Sequence, residues 1–200
     1  MPKVVDRDER KRTIAEALLR LVARQGIEKV SVRTVAAEAG ISAGAVQKYF
    51  ATKEDMLAVA FELTGEFLVR RWADIDAEGP FIEVLREHIV AALPLDEQRR
   101  AELVIVFAFT ARAAAQPDWA RRLQRDYGDA HDLTTRFLRF GQSTGEVRDD
   151  LDVERLADLV LALTDGLSAR LLHTPLLRSP QHDELLASLD LALHELLAPR

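Results

Sequence analysis

Residues 31–53, SVRTVAAEAGISAGAVQKYFATK, decide the fold. They read as a short helix, a tight three-residue turn and a second short helix. Ser31 offers a hydroxyl cap to the first helix, which carries Val35, Ala36 and Ala39 and stops at Gly40. Glycine suits the left-handed conformation that ends many helices. Ile41 turns back toward a core, and Ser42 caps the second helix, formed by Gly44, Ala45, Val46, Gln47, Lys48 and Tyr49. Two short helices joined this closely form the unit that lays a helix in the DNA major groove. Thr52-Lys53-Glu54-Asp55 then reads as the capped start of a further helix.

Outward from this stretch the pattern is helical nearly throughout. Ile14, Ala17, Leu18, Leu21 and Val22 recur at helical spacing ahead of Gly26. A long helix is predicted from Lys53 to about Ala77, with Gly65 inside it either as a cost of about 1 kcal/mol relative to Ala or as a close-packing point. Gly79-Pro80 breaks the chain, and Pro80 opens a fifth helix that ends at Pro94. Asp96 caps a sixth, running to about Ala115, whose LVIVFAFTA segment is apolar almost all round and reads as the central buried helix. Pro117 opens a seventh, residues 141–151 form a loop, and Asp152 caps an eighth. Pro175 to Ser179 is a second loop, after which Pro180 opens a ninth. The fold class is therefore all-α, about nine helices. A three-helix head with its helix-turn-helix (residues 1–52) precedes a larger helical body (53–200).

Composition narrows the function. With 200 residues, 48% of them hydrophobic, and no cysteine, the chain fits a reduced, cytoplasmic globular protein. No apolar run reaches the roughly 20 residues of a membrane helix and no signal peptide opens it. The net charge of −6 is unevenly spread. Residues 1–55 hold eleven basic against eight acidic side chains, and residues 56–200 hold sixteen against twenty-five. A basic head on an acidic body keeps phosphate attraction local to the head. There is no glycine-rich phosphate loop and no nucleophile elbow. His88, His131, His173, His182 and His194 are scattered without metal-ligand spacing. Neither an enzyme nor a cofactor is expected.

The wording of the head resembles the TetR family of bacterial ligand-responsive repressors. Arg33, Ala36, Gly40-Ile41-Ser42, Gly44, Tyr49-Phe50, Lys53-Glu54 and Leu57 carry the likeness. Further on, ELVIVFAFTARAAAQPDWARRL and RDDLDVERLADLVLALTDGLSARLL are similar to the regulatory half of the family's betaine-regulator-like branch. Small Ser42, Ala43 and Gly44 let the backbone approach DNA, while Gln47 and Lys48 reach further, toward adenine, guanine or a phosphate. The resemblance implies that Tyr49 and Lys53 hold the DNA backbone and that Arg33 reaches a guanine edge; Thr34, beside it, joins the candidate set. Many relatives have an aromatic residue in place of Gln47 and His in place of Tyr49, so the operator sequence does not carry over. Val46 and Phe50 read as anchors of the reading helix.

The resemblance also implies a homodimer on double-stranded operator DNA and a small-molecule effector held between the fourth to eighth helices. Phe61, Leu68, Trp72, Phe107, Thr110, Trp119 and Tyr127 are candidate walls. Arg112 is either a charged contact or half of an ion pair with Glu102, Asp118 or Asp165. A quaternary amine such as choline would find aromatic faces in Trp72 and Trp119. The dimer contact is expected on the stripes Leu156, Leu159, Val160, Leu163, Leu167 and Leu185, Leu189, Leu193, Leu196, paired as a four-helix bundle. A helical adaptor using these stripes on a protein partner is the alternative.

Overall fold

The computed structural model describes residues 7–175 and 180–199. Among them the chain forms α1 (Arg7–Gln25), α2 (Val32–Glu38), α3 (Ala43–Gln47), α4 (Lys53–Ala73), α5 (Phe81–Ala92), α6 (Glu97–Ala113), α7 (Pro117–Ser143), α8 (Val153–Leu172) and α9 (Pro180–Leu197). There is no strand among the described residues. A 3-10 turn at Ile27–Lys29, which the sequence pattern does not announce, joins α1 to α2.

The helix starts are set by local chemistry. The Ser31 hydroxyl accepts from the Thr34 amide at 3.2 Å, and the Thr34 hydroxyl accepts from the Ser31 amide at 2.9 Å. Ser42, Thr52, Asp96 and Asp152 cap α3, α4, α6 and α8 in the same manner. Each such cap contributes about 1 kcal/mol by satisfying an amide that the helix leaves free. Gly40, at φ 67°, ends α2, and the Ile41 amide returns to the Ala36 carbonyl at 3.0 Å. That reversal gives the turn its sharpness.

Helix ends are less predictable. α4 stops at Ala73 rather than near Ala77, and α7 continues through Ser143, so the expected 141–151 loop begins three residues late. Residues 176–179 of the second expected loop lie outside the described residues. Gly65 is not a packing point, because a Cβ there would have nothing within 4 Å.

The apolar interior divides into two cores, and the division does not follow the head–body boundary at residue 52. The first core joins α1 (Ile14, Leu18, Val22), α2 and α3 (Val35, Val46), α4 (Met56, Leu57, Leu63) and α6 (Ala101, Ile105). The second joins α5 (Phe81, Leu85, Ile89), Leu138 of α7, α8 (Leu156, Val160, Leu171) and α9 (Leu189, Leu193, Leu197). α6 is central, packing on α1, α4 and α7 and more lightly on α8. Its burial is one-sided, however. Ala101, Ile105 and Phe109 are covered, while Leu103, Val106, Phe107 and Thr110 are only half-buried. Those four lie at i, i+3, i+4 and i+7, so they form one helix face that the chain leaves partly open.

Candidate nucleic-acid interface and effector cleft

α3 is a single helical turn whose two sides differ. Val46 and Phe50 are buried in the first core and anchor it. Ser42, Ala43, Gly44, Gln47 and Lys48 are exposed together on the other side. Tyr49 is half-buried against the first core, with the ring's remaining surface at the edge of the exposed face. Arg33 on α2 is exposed, and no hydrogen bond or ion pair holds it among the described residues. Glu38, the neighbour that could have claimed it, pairs with Arg20 at 3.3 Å and with Arg24, both on α1. The arrangement leaves one guanidinium, one ammonium and one carboxamide free to reach base edges or phosphate.

Two of the candidate contacts have structural work instead. The Thr34 hydroxyl donates to the Lys29 carbonyl at 2.7 Å while it completes the Ser31 cap, so its hydrogen is committed inside the head. Lys53 is half-buried, and its ammonium donates to the Ile27 carbonyl at 3.3 Å. That bond fastens α4 to the 3-10 turn and leaves two of its three donors for a phosphate.

The body rearranges the expected pocket. The rings of Phe61 and Phe109 stack at 4.0 Å, and Phe109 stacks on Trp119 at 4.3 Å. This ladder closes the space between α4, α6 and the start of α7. Trp72 is tied by its indole N–H to the His88 carbonyl at 2.9 Å, and its ring leans on the imidazole of His88. The two tryptophans therefore do not form a common cage: each already has a ring neighbour. Leu68 is half-buried on α4. Arg112 pairs with Glu54 in the first turn of α4 at 2.8 Å, not with Glu102, Asp118 or Asp165. Glu102 is instead held by Arg71, through bonds of 3.1 and 2.8 Å, and Asp118 by Arg121.

What remains open is the α6 face of Leu103, Val106, Phe107 and Thr110. Tyr127 of α7, 47% exposed, and the exposed Asp165 of α8 stand beside it. Burial pushes the Tyr127 phenol above its usual range, the Asp165 carboxylate pushes it further, and the Thr110 hydroxyl opposes both. Partial desolvation by its neighbours likewise holds the Asp165 carboxyl above the usual carboxylate range, although the residue is exposed. No ion pair compensates Asp165 among the described residues. Sequence reasoning considered it only as a partner for Arg112, although an acid inside LVLALTDGLSARLL is a signal in itself.

The leucine stripes belong to the chain's own interior. Leu156, Val160, Leu167, Leu185, Leu189 and Leu193 are buried in the second core, and Leu163 and Leu196 pack against it. A partner cannot reach the buried six. Period-3.6 stripes report burial without saying against what. Of the expected set, Leu159 faces outward at 48% exposure, and Leu191 on α9, which the stripe omits, is 63% exposed.

Two family profiles match the chain. Residues 14–60 match "Bacterial regulatory proteins, tetR family", and residues 81–198 match "BetI-type transcriptional repressor, C-terminal". The chain belongs to the TetR family. This TetR-family regulator is 32% identical over 182 residues to the HTH-type transcriptional regulator PksA of Bacillus subtilis, covering 88% of this chain and 84% of that one. A transcriptional regulator from Rhodococcus sp. superimposes with a TM-score of 0.78 at 31% identity, covering 93% and 95% of the two chains. A putative regulator from Saccharomonospora viridis, solved in complex with choline, superimposes at 0.82 with 25% identity, covering 96% and 100%. The protein is thus a DNA-binding transcriptional regulator with a helix-turn-helix head. Among the described residues no helix is long and apolar enough to cross a membrane.

Proposed function

We propose that this TetR-family protein is a cytoplasmic, homodimeric repressor that leaves its operator when the body takes up a small organic cation. The observation that carries the reading is the pairing of a free polar face on α3 with the half-buried face of α6, near which the exposed Asp165 carries a carboxylate that no ion pair neutralises among the described residues. In the head, Arg33, Gln47 and Lys48 read the major groove, and Ser42, Ala43 and Gly44 permit close approach. Tyr49 and the remaining donors of Lys53 hold the backbone. In the body, Asp165 is the counter-charge, Phe107 and Tyr127 supply ring faces, and Thr110, whose hydroxyl donates to the Val106 carbonyl at 2.9 Å, supplies an acceptor oxygen. Asp165 is exposed to solvent, and its partly desolvated carboxylate, which no ion pair neutralises among the described residues, offers a cation a counter-charge. Choline in the Saccharomonospora viridis relative supports this ligand class.

Two copies would meet through the outward sides of α8 and α9, at Leu159 and Leu191 with the small Ala162, Gly166 and Ala187 between them. Such a dimer sets two α3 helices to read half-sites roughly 34–36 Å apart. A cation need favour the unmatched head spacing by only a few kcal/mol to empty the operator. An adaptor without DNA binding leaves the free face of α3 unexplained.

The test is a mobility shift of the protein on its own upstream DNA, with unrelated duplex as competitor and then with choline added. Specific retention that weakens steeply with salt is expected, because neutralised phosphates release counterions. Lys48→Ala should weaken binding and lower the salt slope by about 1 without changing helicity. Retention by unrelated DNA of equal strength would remove the operator reading. Specific retention indifferent to choline, with no thermal shift, would remove this cation and keep the repressor.

A further inference from the structure

The first turns of α6, which belong to the first core at Ala101, are tied by polar bonds to helices that build the second core. Arg71 of α4 donates to the Ala91 carbonyl at 3.0 Å and grips Glu102, which also accepts from Gln98 at 3.0 Å. Arg99 donates to the Val90 carbonyl at 3.1 Å. Both cap the end of α5, which the chain already joins to α6 through residues 93–96. Arg100 differs in reach. Its guanidinium donates to the carbonyls of Thr174 at 2.6 Å, of Leu171 at 3.5 Å, and of Leu172. These are carbonyls of the last turn of α8 and of the residue two positions past its end, more than seventy residues away. Thr174 is in turn fastened to α9, its hydroxyl lying 2.7 Å from Nε2 of the buried His182.

Three successive residues of α6 thus face three elements. Arg100 holds the end of α8 and, through Thr174, reaches His182 of α9; Ala101 lies in the first core with α1, and Glu102 holds α4. We propose that Arg100 is a positioning residue through which the α8–α9 end of the body sets the attitude of the head. The proposal rests on the reading of the protein as an effector-released repressor. A planar fork bonded to several carbonyls resists displacement, since moving α8 alone breaks those bonds whereas moving α6 with it keeps them. Room for α6 to move is present. A groove of about 470 Å³ opens beside Ala101, floored by Leu19, Ala23 and Phe67. A shift at the end of α8 therefore reaches α1 through one residue step on a rigid helix.

Coupling between sites is reciprocal, so the link can be read from the DNA side without knowing the effector. The experiment is hydrogen exchange by mass spectrometry on the full chain, alone and with a duplex selected from a random pool. Wild type, Arg100→Met and Arg100→Lys are compared. In the DNA-free proteins, Arg100→Met should speed exchange about fivefold, the low end of typical couplings, both at the end of α8 and in the Leu18–Val22 stretch of α1. Arg100→Lys should fall between, because an ammonium is a point donor without the planar fork. With the duplex, wild type should show altered exchange at the end of α8, and Arg100→Met should lose that response while retaining operator affinity.

Faster exchange confined to α8, or raised evenly in every helix, would overturn the proposal. So would a DNA response at α8 that survives in Arg100→Met. The effector reading fails separately: a DNA response that depends on Arg100, in a protein that no small cation releases, keeps the link and discards the ligand class.

Discussion

The reading head and the α6–α8 cleft both present polar side chains to a ligand, but they hold them in different ways. In the head, four consecutive features of the chain (the Ser31 cap, the Gly40 reversal, the Ser42 cap and the Thr52 cap) place α3 before any distant residue contributes. Its free face is a by-product of burying Val46 and Phe50 on the opposite side. The cleft has no such local grammar. Leu103, Val106 and Phe107 are as apolar as Ile105 and Phe109, yet they stay half-exposed because α5, α7 and α8 do not close over them. A binding face made by local chemistry survives in sequence, whereas one made by incomplete packing does not.

The largest expected effect is at the head's anchor. Phe50→Ala should cost about 3–5 kcal/mol, the range for emptying a buried aromatic site. Since the first core also contains Ala101 and Ile105, the damage should spread into α6 while α9 keeps its protection. Urea denaturation followed by hydrogen exchange checks both. Loss confined to α1–α3 would mean that the head folds apart from α6, and the two-core division would then be wrong.

The second core is tested at Gly141. A Cβ there would stand 2.6 Å from Val147 and 2.9 Å from the Phe81 ring, which itself stacks on Phe137 at 4.6 Å. Overpacking of this kind costs about 1–3 kcal/mol, and better helix propensity returns up to about 1. Gly141→Ala should therefore lower stability by about 1 kcal/mol net, as a lower urea midpoint with an unchanged slope. Operator affinity in the DNA-binding assay should hold, because α3 lies in the other core. A matching loss of affinity would show the cores to be one cooperative unit.

This contrast explains what was legible in the sequence. Helix order and caps could be read residue by residue, since Ser31, Ser42, Thr52, Asp96 and Asp152 act on amides two or three positions away. The exposure of Arg33, Gln47 and Lys48 could be read because the motif fixes their face. Thr34 could not, because its use as a cap depends on the Lys29 carbonyl in an unannounced turn. The pairs Arg112–Glu54 and Arg71–Glu102 span 58 and 31 positions, and nothing local selects one acid over another. The leucine stripes of α8 and α9 failed for a related reason. Periodicity marks the apolar face, most of which the chain buries in its own second core, and it does not specify what packs there.

A smaller effect of opposite sign is expected on α4, which both regions share. Gly65 is exposed, helical and free of neighbours within 4 Å. Gly65→Ala should raise stability by about 0.5–1 kcal/mol through backbone entropy alone. Thermal unfolding checks the gain, and DNA affinity should not move. A weaker operator complex would mean that bending of α4 at Gly65 takes part in reading, and the head could no longer be treated as locally determined.

Asp165 gives the smallest shift and bears most directly on the cleft. Partial desolvation holds the exposed carboxyl above the usual range, so the folded chain binds that proton slightly more tightly than the unfolded chain does. The linked stability is therefore fully present below the unfolded value of about 3.9 and is lost as pH rises through the raised folded value. Asp165→Asn removes the charge and should be slightly more stable than wild type at neutral pH, the difference vanishing below about pH 4. Binding of choline, read as a thermal shift in wild type, should disappear in the same variant. A variant that gains stability and loses the cation would identify Asp165 as a group kept charged for its ligand at a cost to the fold. Equal stability at both pH values would mean that water solvates the carboxylate fully, and a cation would then gain little by displacing it. The cleft would lose its chemical identity while the head kept its own, which is the asymmetry that local and non-local construction predicts.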